Sequence, residues 1–125
     1  MGNALSMAYK AGEDFSTLTA GTEFRVVKFD AATLSVVKSS AAGDLHKGII
    51  QNVPESGDPA EVVTAGYAHG TAGAAFAAAV ELTSDANGKL VAAVATNRVI
   101  AFAEQAASGD GALVQVQVVP AYVKA

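Results

Sequence analysis

The sequence predicts an all-β protein: a small β-barrel or sandwich of two pseudo-repeated β-meander halves, residues 23–125, behind an extended N-terminal arm, residues 1–22. Three observations predict it. Short β-branched and aromatic runs recur between Gly-, Asp-, Asn- and Pro-bearing turns, the spacing of small barrels and sandwiches. Leu113-Val114-Gln115-Val116-Gln117-Val118-Val119 alternates with a period of two, so Val114, Val116 and Val118 face one way and Gln115 and Gln117 the other. The two halves also resemble each other in the order of their turns and strands.

Residues 1–22 carry no clear period. Leu5, Met7, Tyr9, Phe15 and Leu18 stand among small and polar residues. A purely solvating tail rarely carries two aromatics. The segment therefore reads as an arm that docks on a neighbour, with Met7, Tyr9, Phe15 and Leu18 as the expected contacts.

Phe24 to Phe29 reads as a strand, Asp30 to Thr33 as its turn, and Leu34 to Lys38 as the next strand. Lys47 to Val53 follows, stopped by the turn chemistry of Pro54-Glu55-Ser56-Gly57-Asp58-Pro59, and Ala60 to Gly66 is a fourth strand. Thr71 to Val80 is rich in alanine, which favours helix, but its flanking glycines favour a loop or short strand. Asn87-Gly88 between two apolar runs signals a tight hairpin. Arg98 to Glu104 and Leu113 to Val119 are the remaining strands, with Pro120 expected to end the last.

The repeat pairs Phe29-Asp30-Ala31 with Ser84-Asp85-Ala86. It pairs Lys47-Gly48-Ile49-Ile50 with Arg98-Val99-Ile100-Ala101, and Ser56-Gly57-Asp58 with Ser108-Gly109-Asp110.

Composition excludes several functions. Net charge is −4 and the eight basic residues form no run, so neither nucleic acid nor anionic lipid is an expected partner. Without cysteine there is no disulfide scaffold, thiolate metal site or cysteine nucleophile. The longest apolar stretch, Thr71 to Val80, falls far short of the ~20 residues of a membrane helix, and no signal-peptide pattern opens the chain. Met1-Gly2-Asn3-Ala4-Leu5-Ser6 fits the loose myristoylation pattern, a short match of the kind chance supplies. Much of the hydrophobic 51% is alanine, so the core should be thin and subunit contacts should add stability.

No catalytic, cofactor or metal site is expected. His46 and His69 lack metal-ligand spacing and read as loop or surface residues. Asp85-Ala86-Asn87-Gly88 matches a calcium loop only at its start; its glycine comes too early and the distal glutamate is missing. The two Ser-Gly-Asp triplets suit tight turns. No nucleophile elbow, phosphate loop or dinucleotide fingerprint occurs.

The ordered set from Gly21-Thr22-Glu23-Phe24-Arg25-Val26-Val27, through Lys47-Gly48-Ile49-Ile50-Gln51-Asn52-Val53-Pro54 and Leu82-Thr83-Ser84-Asp85-Ala86-Asn87-Gly88-Lys89, to Arg98-Val99-Ile100-Ala101-Phe102-Ala103-Glu104-Gln105-Ala106 and Ser108-Gly109-Asp110 resembles the capsid decoration, or head cement, proteins of tailed bacteriophages. The resemblance implies a structural virion protein on the outer capsid surface, made in the host cytoplasm. It implies a homotrimer whose partner is the major capsid protein and which stabilises the head by bridging capsid subunits. The alternative is another virion surface β module for host binding or adhesion. A hydrolase assembled between subunits has no support in the sequence.

Overall fold

The computed structural model describes residues 5–18 and 22–125. Nine strands form among the described residues: β1 (Leu5–Lys10), β2 (Val26–Asp30), β3 (Ser35–Lys38), β4 (His46–Ile50), β5 (Pro59–Thr71), β6 (Glu81–Ser84), β7 (Leu90–Ala92), β8 (Arg98–Ala103) and β9 (Leu113–Val123). All pairings between strands are antiparallel. The order is β3-β2-β4-β5-β9-β8-β6-β7, with β1 also on β5. The fold is all-β, and the sheet does not close into a barrel.

β5 organises the molecule. Its first half pairs with β1 and β4; its second half, from Gly66 on, pairs with β9. Gly66 sits at φ 104°, a conformation that favours glycine, at the point where the strand passes from one half to the other. Each half thus owns five strand segments: β1–β4 with the start of β5, and the end of β5 with β6–β9. Each curls toward closure and stops at a single parallel bridge, Ala11 to Val36 in the first half and Ala72 to Leu90 in the second.

The duplication is visible bond by bond. Gly12 N–H donates to the Val36 carbonyl, and Gly73 N–H to that of Leu90. Gly57 N–H donates to Ala11 O, and Gly111 N–H to Ala72 O. Asp30 Oδ1 accepts from Ala32 N–H, and Asp85 Oδ1 from Asn87 N–H, which bears out the expected pairing of those turns. The other two expected pairings are shifted by two residues. Gly57 matches Gly111, both with positive φ, and Ile50 matches Ala103.

The core repeats in the same way. One cluster holds Ala11, Phe15, Val27, Val36, Ile50, Ala60 and Val62. Their equivalents Ala72, Phe76, Leu82, Leu90, Ala103, Val114 and Val116 all lie in the other cluster. Ile50 shrinks to Ala103 while Ala60 grows to Val114 and two valines become leucines, so filled volume is nearly conserved, as close packing requires. The rest of the second cluster includes Val26, Ile49 and Val63, which face away from the first cluster and seat the two halves together.

Three expectations change. Residues 5–18 do not extend away as an arm: β1 is a strand of the sheet, and Glu13 binds the N–H and ammonium of Lys38. Residues 1–4 and 19–21 of the expected arm lie outside the described residues. The strand from Lys47 ends at Ile50, because Gln51 and Asn52 turn their amides onto the backbone of β5. Pro120 does not end β9. Its neighbours pair only with β8, across an irregular register between Val99 and Ala101, so a missing N–H costs little there. Residues 72–80 form a loop, with an isolated bridge from Phe76 to Ala107, and no helix.

Candidate functional site

Among the described residues no three His, Cys, Asp or Glu side chains gather as a metal site. The buried polar groups among the described residues have structural uses. His46 is buried in β4 rather than on a loop or the surface, because its strand faces the second half. Its ring lies 2.9 Å from Ser39 Oγ and 3.4 Å from Thr83 Oγ1, and burial holds its pKa below the ordinary value. Nearby, Ala42 O accepts from Arg98 N–H and Thr83 Oγ1, so the loop between β3 and β4 docks on the second half.

Arg25 clamps the reverse junction. Its Nε donates to Thr22 O at 2.6 Å and its guanidinium to Asn87 O at 2.8 Å. Asp85 closes its own turn, its Oδ1 accepting from both Asn87 and Lys89 N–H, as a hairpin turn requires. No buried side-chain N or O among the described residues lacks a partner. His69 is exposed on β5, with the Phe24 ring centroid 5.5 Å away.

Two of the surface recesses among the described residues measure about 340 and 330 Å³. The first is lined by Gln51, Tyr67, Ala68, His69 and Gln115, but the Gln51 amide is already committed to the β5 backbone. The second lies where β5 and β9 splay apart, between His46, Lys47, Thr64 and Ala65 on one side and Pro120 and Ala121 on the other.

Contact surface is what the molecule offers. The four expected contact residues lie together in the first half, with different access. Phe15 is wholly buried by its own chain, so it is a core residue and not a free contact. Tyr9 and Leu18 are half-buried against the same cluster, and Met7 is 45% exposed.

Sequence reasoning missed the neighbours that extend this patch. The Phe29 and Tyr9 ring centroids are 6.3 Å apart, and the Lys47 ammonium lies 5.9 Å from the Phe29 centroid. Leu34, 71% exposed, stands in the adjoining turn. The missed signal was the alternation Met7, Tyr9, Ala11, which marks one face of a strand.

The second half carries a different surface. Glu81, Phe102, Gln117 and Tyr67 lie in register across β6, β8, β9 and β5, and so share a face. Tyr122 packs its ring 6.4 Å from Phe102 and donates its hydroxyl to Glu81, which also pairs with Lys124. Desolvation, then the Glu81 carboxylate, push the Tyr122 phenol up to about 12.

No family model matches the chain, and no curated protein matches it. Among solved structures, the fold is similar to the head fiber gp8.5 N base of bacteriophage phi29, with a TM-score of 0.67 and 16% identity. The superposition covers 98% of this chain and 100% of that one.

Proposed function

We propose that this chain is a structural protein of a tailed-phage virion. It binds the outside of the head as a homotrimer and stabilises the shell by bridging major capsid protein subunits. The observation that carries the reading is the end-to-end fold likeness to a phage head fiber base, reached independently of the sequence resemblance to head cement proteins.

The physical character of the molecule supports it. Among the described residues every buried side-chain N and O has a hydrogen-bond partner, and the exposed apolar residues offer contact surface. A shell stabiliser gains by small contacts multiplied over many copies. The patch of Met7, Tyr9 and Phe29 is of that kind, with aromatic and methionine side chains suited to an interface.

A second reading follows from the same likeness, since the neighbour is the base of a fiber: a virion surface module that anchors a host-binding or adhesive part. Co-sedimentation with phage heads stripped of their surface proteins, followed by electron microscopy, tests both. Saturable density between capsomers supports the bridging role. Density on single capsomers, without bridging, favours the surface module. Absence of binding overturns both.

A further inference from the structure

The duplication reveals what the exposed patch of the first half lacks. The equivalents of Met7, Tyr9 and Phe29 in the second half are Ala68, Gly70 and Ser84, and the equivalent of Leu34 is Gly88. There the patch is covered by the first half. Ile49 Cδ1 would lie 3.7 Å from a Cβ at Gly70. Val26 N–H donates to Gly88 O, and the row Val26–Ile49–Val63 is buried beneath the contact.

The outer edge of β5 is covered as well: His69 N–H and O bond to the Gln51 amide, and Thr71 N–H to Phe24 O. In the first half the equivalent edge is that of β1, which carries no paired strand on that side among the described residues before the bridge at Ala11.

The covering surface has its own copy. By register, Val26, Ile49, Val63 and Ser6 match Glu81, Phe102, Gln117 and Tyr67. Gln51 matches Glu104, since each donates its N–H to the equivalent β5 or β9 carbonyl, Glu61 and Gln115. This second row is part-covered by Tyr122 and Lys124, yet Phe102 and Gln117 are only half-buried and Tyr67 is 40% exposed. The uncovered patch carries the exposed cation Lys47; the uncovered row is flanked by the exposed anion Glu104.

We infer that the chain self-associates head to tail, the Met7–Tyr9–Phe29 patch of one copy seating on the Phe102–Gln117–Tyr67 row of the next, in the manner in which its own halves are joined. Such a contact uses two different surfaces, so it closes into a ring or runs on as a filament. The inference supplies the faces for the homotrimer of the proposed function, but rests on the duplication and can fail while head binding stands.

The test is sedimentation velocity on the full chain up to about 100 μM, with Met7→Glu and Phe102→Glu as the two face variants. Wild type forms a ring or longer oligomers, and each variant alone weakens association at least about tenfold. The two variants mixed restore a dimer that grows no further, because each keeps one intact face. Tyr67→Glu replaces Phe102→Glu if the latter loses its sheet signal in circular dichroism. A monomeric wild type, association unaffected by Met7→Glu, or a mixture that stays monomeric overturns the inference. Adding stripped heads to the same samples scores capsid binding separately: monomers that bind heads sink the self-association alone.

Discussion

Phe15 and Phe76 hold equivalent places in the two halves: the N–H of Phe15 donates to Pro54 O at 2.8 Å, that of Phe76 to Ala107 O at 3.3 Å, and each ring plugs its own cluster. Phe15 has no exposed surface, while Phe76 keeps a little. Phe15→Ala should cost about 3–5 kcal/mol, and Phe76→Ala the lower end of that range. Against a typical domain stability of about 5–15 kcal/mol, the first change leaves a marginal fold, read by urea denaturation. By the same argument, deleting residues 1–20 removes β1 and Phe15 together and should unfold the first half; a deletion variant with wild-type stability would contradict this.

His46 makes stability depend on pH. Its folded pKa lies below the 6.5 of a free imidazole because burial disfavours the cation, with Arg98 and Lys28 acting the same way and Asp44 opposing. Below 6.5 the unfolded chain takes up the proton first. The contribution of His46 is therefore complete above that pH and is lost as pH falls toward the folded value. Melting temperature should drop between about pH 7 and about pH 5, and His46→Gln should flatten that slope. An identical slope in the variant would place the dependence elsewhere.

Gly48 faces the carbonyl of Val63 so closely that an added Cβ would overlap it. Backbone cannot move aside as a flexible side chain can. Gly48→Ala should destabilise by about 1–3 kcal/mol, measured by denaturant midpoint, although alanine suits the strand conformation no worse than glycine.

Leu34 sits at φ 53°, where its equivalent is Gly88 at φ 76°. A side chain in that region costs roughly 1–2 kcal/mol, partly offset by the extra entropy of glycine in the unfolded chain. Leu34→Gly should raise stability by about 0.5–1 kcal/mol. An unchanged or lowered midpoint would mean that the strain is already relieved by packing.

The strands of the body were legible because alternation and turn residues report them directly, and Asp30 and Asp85 marked one pair of equivalent turns correctly. The triplets Ser56-Gly57-Asp58 and Ser108-Gly109-Asp110 misled because identity in a turn is weaker evidence than conformation. The glycines that match are those forced to positive φ, Gly57 and Gly111. Ala11-Gly12 with Phe15 and Ala72-Gly73 with Phe76 are the clearest sequence trace of duplication. They are hard to see because the first lies in a segment without a clear period and the second in an alanine run that suits helix and loop alike. The burial of His46 was not legible, since it depends on which face of β4 meets the other half. The patch around Phe29 was not legible either, because it joins residues from β1, β2 and β4 that only the register brings together.

The sharing of β5 also sets the order in which the chain can mature as it leaves the ribosome. β1 is made first but its partner runs to Ala65, so the N-terminal half waits with Met7, Tyr9 and Phe15 unsheltered until half the chain has emerged. Closing it lays down the remainder of β5 as a ready template, against which β9, the last strand synthesised, completes the second half. Long-range pairing of this kind is slow and leaves apolar surface open to wrong partners meanwhile. A protein made in many copies at once would feel that delay as a dependence of yield on the rate of synthesis, with slower translation giving more soluble product.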